Sequence, residues 1–312
     1  MAGQTLALLP DQSTAAQFRA WGSAISTAIG VQGLVQTADT GQINWTTVAA
    51  PSGTNTAMGY EIWRFNDSLQ SSAPVFLKLE YGSGPNVRLP QMWVTVGVGS
   101  DGAGNLTGTN ISGVYGAVTT RRPIGPAAFS TFLSTSGNVY VNGDAGCLSL
   151  LAWPTLITNQ WGGFWLLVER WRNWDGSNSG DGVSVLTAGA DATTPANSSQ
   201  ALCYLPNVAL NPGTSASIAS NMNVPSCGIT QFSAVVGTNL YPLPILTGPG
   251  PRAGAPSQFA MAIGLGDYPS LGTFAMNNYG VSRTWICAGI GATLGWGGFG
   301  SGNIKSLIVR TS

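Results

Sequence analysis

Two periods divide the chain. From Thr14 the segment TAAQFRAWGSAISTAIG places Phe18, Trp21, Ile25 and Ile29 at spacings of three and four, the apolar stripe of a helix with about 3.6 residues per turn. Thr14 and Gln17 have the spacing of a capping box, in which each side chain accepts from the other residue's backbone N–H, and Gly30 or Gly33 can close the far end. The simplest use of the stripe is to cover a sheet. Phe18, Trp21, Ile25 and Ile29 are also candidates for an assembly interface, because Gly22, Ser23 and Ala24 let another backbone come close.

After the helix the period falls to two. Ala57–Phe65, Ala73–Tyr81 and Gln91–Val98 alternate or run apolar between Gly, Pro, Asn and Asp, and are expected to be consecutive strands. Asp101–Asn105 reads as a turn, since Gly and Asn accept positive φ at little cost. Further strands are expected at Asn138–Asn142, Cys147–Ala152, Gly163–Arg172, Val183–Thr187, Ala201–Leu205, Gln258–Gly264, Ser282–Ala288 and Ile304–Val309. This density of strands predicts a mainly β fold, an antiparallel sandwich or barrel-like architecture with one N-terminal amphipathic helix and long Gly/Pro-rich loops.

Three stretches read as linkers: Arg121–Pro126, Ala188–Ser199 and Leu243–Pro256. Proline cannot donate to a sheet ladder, so the last is expected to be an extended arm, with Pro244, Pro249, Pro251 and Pro256 as candidate contacts to a neighbouring subunit. Gly289–Gly302 is a further glycine-dense loop, and no fixed-period repeat is present. The expected division is 1–120, helix plus β domain, and 121–312, a second β-rich region.

Composition changes the picture. Only 8% of the 312 residues are charged, against about 25% in ordinary domains. Disorder does not follow, because 11 Trp, 10 Phe and 8 Tyr supply a core. Formal net charge is zero and mean hydropathy is positive. Self-repulsion is then too weak to keep copies apart, so association with other copies or other proteins is expected. Basic residues cluster only at Arg121-Arg122 and at Arg170 and Arg172, which argues against a nucleic-acid partner. No apolar run approaches the length of a membrane span, and the first residues lack the pattern of a secretory signal. Synthesis in a cytoplasm follows as an expectation, with Cys147, Cys203, Cys227 and Cys287 reduced by default and their pairing in an oxidising medium left open.

The chain contains no histidine. This removes Ser-His-Asp and Cys-His catalysis, histidine-based zinc sites and the commonest general base at neutral pH. Lys78 lies two residues from Glu80, on the same strand face, and an ion pair is expected there. The strongest enzymatic alternative is a two-carboxylate glycan hydrolase using Glu169 and Asp175. Strict alternation sets Glu169 with Trp165, Leu167 and Trp171, away from Arg170 and Arg172, which suits a buried structural carboxylate equally well. Asp175–Asp181 resembles the first half of a calcium loop, but Leu186 stands where a bidentate Glu is needed, so a hairpin loop is the better reading. No cofactor motif is present, and no catalytic or metal-binding residue is assigned.

QTADTGQINW and GYEIWRFNDSLQSSAPVFLKLEYGSG within Gln36–Gly84, WVTVGVGSDGAGNLTG after them and the later GGFWLLVERWRNWDGSNSGDGV resemble structural proteins encoded in virion gene clusters of tailed bacteriophages and prophages. The resemblance covers roughly residues 15 to 185. It implies a virion structural protein, in the tail, baseplate, fibre or collar, assembling as a trimer or ring with itself and with other virion proteins. Capsid decoration is an alternative. So is a receptor-binding module for a host surface glycan, with Trp161, Trp174 and Trp296 as stacking platforms.

Overall fold

The computed structural model describes residues 3–7, 12–84, 87–88, 90–108, 122–124, 137–154, 164–173, 175–188, 200–204, 235–236, 239–240, 243–246, 256–264, 273–278, 281–288 and 304–311. Among them the fold is mainly β with every strand pairing antiparallel, and one helix lies near the N-terminus.

The helix α1 (Ala15–Val31) forms where the 3.6 period predicts it. The Thr14 hydroxyl accepts from the Gln17 amide at 3.2 Å, and the Gln17 carboxamide oxygen accepts from the Thr14 amide at 3.0 Å. Gly33, at φ +94°, takes the chain out of the helix. Phe18, Trp21, Ile25, Ala28 and Ile29 are buried in the chain's own core. Of the two uses open to this stripe, the structure makes the first, covering a sheet; the four candidate interface side chains are not on the outside.

That sheet has five strands in the order β2 (Val35–Gln36), β3 (Ala57–Arg64), β4 (Phe76–Ser83), β5 (Pro90–Gly97) and β8 (Arg122–Ile124). Its register sets Trp63, Leu77 and Val96 in one row, then Glu61, Leu79 and Val94, then Tyr81 and Met92. This face meets α1, as the pattern in FLKLEY requires. A small hairpin, β6 (Gly99–Ser100) and β7 (Leu106–Thr107), carries the Asp101–Asn105 turn, with Gly102 and Gly104 at positive φ as the sequence requires.

The second sheet is six-stranded, in the order β1 (Gln4–Ala7), β9 (Gly137–Asp144), β10 (Cys147–Pro154), β11 (Phe164–Arg172), β12 (Asn178–Ala188) and β13 (Gln200–Tyr204). Val139, Val141, Leu148, Leu150, Leu166, Val168 and Val183 join the helix and the first sheet in one hydrophobic cluster. The core is therefore continuous across the division expected at residue 120, and β1 of the N-terminal segment pairs with β9 beyond it.

A third sheet of five strands runs β16 (Leu243–Leu246), β17 (Pro256–Gly264), β20 (Ile304–Arg310), β19 (Val281–Ala288) and β18 (Thr273–Asn278). A two-stranded pair, β14 (Val235–Val236) and β15 (Asn239–Leu240), completes the set. The arm expected over Leu243–Pro256 is corrected at both ends. Pro244 lies in β16 and Pro256 opens β17, with Pro244 opposite Met261 and Pro256 opposite Leu246. Pro244 is tolerated because β16 is an edge strand, and Pro256 because it is the first residue of β17. Pro249 and Pro251 lie outside the described residues. Arg122–Ile124, expected in a linker, is likewise an edge strand.

Candidate functional site

The side chains with chemical capacity gather where the second sheet faces the third. Register places Asp144 opposite Cys147 and Cys147 opposite Glu169. Glu169 has no exposed surface. One of its oxygens accepts from Ser257 Oγ at 2.5 Å, and the other from the Gln258 amide at 3.2 Å and Arg172 Nε at 3.4 Å. Arg172 extends to Asp144 at 2.9 Å. Arg310 lies over the Phe259 ring at 4.7 Å, and its backbone carbonyl accepts from Asn142 Nδ2 at 3.2 Å. A polar clamp thus ties β9 and β11 to β17 and β20.

The arrangement corrects the expectation for Glu169 in one respect. The register with β12 shifts between Arg170 and Arg172, four residues of β12 standing against one of β11, and Arg172 reaches Glu169 across this break. Arg170 stays on the other face, where its guanidinium bonds Asp67 at 2.5 and 3.0 Å and Gln70 at 3.4 Å and lies over the Phe65 ring. Asn178 donates to the same Asp67 at 2.8 Å.

Burial pushes the Glu169 carboxyl above its ordinary range, and Arg172, Ser257 and Gln258 offset this only in part. Burial, with the charges of Glu169 and Asp144, also pushes the Cys147 thiol well up, leaving it a neutral, inert core thiol. A carboxyl sealed from solvent with both oxygens bonded has no route to a sugar in this arrangement. Asp175, the other half of the hydrolase alternative, is exposed. The Ser177 hydroxyl and amide hold its carboxyl below the usual range. Ser177 caps Asp175 at 2.6 Å within a tight turn between β11 and β12, with Gly176 at φ +84°. No metal-holding group of His, Cys, Asp and Glu occurs among the described residues.

A second buried carboxylate was not singled out from the sequence. Glu61, 1% exposed, faces α1 from β3. It accepts from Ser26 Oγ at 2.7 Å, Trp45 Nε1 at 2.8 Å, Tyr81 OH at 2.7 Å and Trp63 Nε1 at 3.2 Å. Helix, connecting loop and sheet are thereby fastened to one side chain. Its only sequence signal is phase, since Glu61 falls on the same strand face as Trp63.

Lys78 does not take Glu80. Its nitrogen donates to the Gly104 carbonyl at 2.8 Å and sits 4.3 Å from the centre of the Tyr60 ring, because the Asp101–Asn105 turn folds down on this face. The candidate sugar platforms Trp161, Trp174 and Trp296 lie outside the described residues. Among the described tryptophans, Trp21, Trp63, Trp93, Trp171 and Trp285 are buried and Trp45 partly so. No helix among the described residues is long and apolar enough to cross a membrane. No family model, curated protein or solved structure matches the chain.

Proposed function

We propose that this chain is a structural subunit of a bacteriophage particle, working by assembly with copies of itself and with neighbouring virion proteins in the tail, baseplate, fibre or collar. The observation that carries assembly is the direction in which its few charges point. Only 8% of residues are ionic, and Glu61, Asp67, Glu169, Arg170, Arg172 and Arg310 among them are drawn into internal bonds or stacked on internal rings. With so few ionic groups and a formal net charge of zero, copies meet with little ionic repulsion.

The place in a virion is supported by the phage-like phrases between residues 15 and 185. The described indoles serve the interior and so lend nothing to a glycan-binding reading, while its candidates Trp161, Trp174 and Trp296 lie outside the described residues.

Two measurements test the proposal together: sedimentation of the purified chain at micromolar concentration, and mass spectrometry of purified particles from cells carrying its gene cluster. A discrete oligomer that is also a particle component is the expected result. A stable monomer absent from particles would overturn it.

A further inference from the structure

Distant parts of the chain meet at Asp67, in the connection between β3 and β4. Its carboxylate accepts from Arg170 Nε of β11 at 2.5 Å, from Arg170 Nη2 at 3.0 Å and from Asn178 Nδ2 of β12 at 2.8 Å. Gln70 Oε1 accepts from the same Nη2 at 3.4 Å. The turn between β9 and β10 closes over them: the Gly146 carbonyl accepts from the Arg170 amide at 3.0 Å, and a Cβ on Gly146 would run into Asn178 Nδ2 and Asp67 Oδ2.

These bonds leave two polar atoms over. Arg170 spends Nε and Nη2 on the fork to Asp67, so Nη1 with its two N–H groups lies outside it. The Phe65 ring, 5.3 Å from Arg170 Cζ, attracts the charge without supplying a lone pair. Asn178 has its amide oriented by the bond from Nδ2 to Asp67, and turning it over would set Oδ1 against a carboxylate. Arg170 Nη1 and Asn178 Oδ1 are both buried with no hydrogen-bond partner among the described residues. Leaving such groups unpaired is costly, and folded proteins rarely do so.

The buried indole N–H groups of Trp21 and Trp285 are unpaired too, but each is a donor alone. At Asp67 a spare donor and a spare acceptor belong to residues bonded to one and the same oxygen, Oδ2.

We propose that the Asp67 junction is a site for internal water, which accepts from Arg170 Nη1 and donates to Asn178 Oδ1. Water fits because it is donor and acceptor at once. An anion would suit Arg170 but would stand close to the Asp67 carboxylate and the Asn178 oxygen, and a cation would meet the guanidinium. Larger solutes are shut out, since Arg170 has no exposed surface. The site belongs to the fold and is independent of the assembly reading.

The test is a crystal structure of the full chain at a resolution that shows ordered solvent, with anomalous data collected from crystals grown in bromide. One water, or two bonded to each other, is expected within about 2.7–3.2 Å of both Arg170 Nη1 and Asn178 Oδ1. Solvent density at neither atom or at only one of them overturns the proposal. So does a bromide peak at the site, which would make it an anion site, or a rearrangement in which either atom bonds a protein group instead.

Discussion

Arg172 Nε lies 3.4 Å from Glu169 Oε1, three residues back along the same strand. In a regular strand such residues point to opposite faces. The register of β11 with β12 breaks between Arg170 and Arg172, and Arg172 makes Glu169 one end of the Asp144–Arg172–Glu169 clamp. Ser257 and Gln258 complete the clamp from β17, so the third sheet is held by a carboxyl that the second sheet buries.

The clamp has a pH signature. Because burial raises the Glu169 carboxyl above its ordinary 4.5, the folded protein holds this proton more tightly than the unfolded chain. The group's contribution to stability is therefore fully present below the unfolded value and is lost as pH rises through the folded one. Thermal denaturation between about pH 4 and about pH 8 is expected to show wild type losing stability relative to Glu169→Gln as pH rises. A difference that is flat, or that grows in favour of wild type, contradicts this.

Glu61 satisfies four donors at once. Glu61→Ala strips the acceptor from Ser26, Trp45, Trp63 and Tyr81 together and leaves a void under the helix. A loss of about 3–5 kcal/mol in urea unfolding is expected. A loss below about 1 kcal/mol would remove the special role of Glu61.

The Asp67–Arg170 pair is buried on both sides, with side-chain exposures of 8% and 0%. Asp67→Ala leaves the guanidinium without its carboxylate and is expected to cost about 3–5 kcal/mol. Arg170→Met in the same chain is expected to recover part of that cost, giving a coupling of about 1–3 kcal/mol in a double-mutant cycle. Simple additivity would show that the pair contributes nothing specific.

Two glycines of the same helix should respond with opposite signs. A Cβ on Gly30 meets nothing nearer than the Trp63 ring at 3.8 Å, so Gly30→Ala should stabilise by about 0.5–1 kcal/mol through helix propensity. A Cβ on Gly22 would stand 1.9 Å from the Trp45 ring. Trp45 is tied to Glu61 and cannot withdraw freely, so Gly22→Ala should destabilise by about 1–3 kcal/mol despite the same propensity gain. Chemical denaturation of both variants checks the pair, and a stabilising Gly22→Ala would show that Trp45 yields.

What the amino-acid order determined by itself is local. The stripe Phe18–Trp21–Ile25–Ile29, the Thr14/Gln17 cap and the alternation in FLKLEY each report which face of an element is apolar, and a periodicity of a few residues suffices for that. The helix and the strands expected from it stand close to their predicted bounds. Tertiary structure alone decided the partners: β1 beside β9, Asp67 under Arg170, Ser257 on Glu169, and Lys78 turned from Glu80 to Gly104. Each of these contacts depends on distant segments meeting, and their separation along the chain leaves no periodic trace. The edge strands β8 and β16 were hidden for a related reason, since proline marks a break in local pairing but says nothing about the one side of a strand that still bonds. The register break beside Arg172, where four residues of β12 stand against one of β11, is likewise invisible to a local period, and Arg172 reaches Glu169 only because a carboxylate, a hydroxyl and a third sheet meet there.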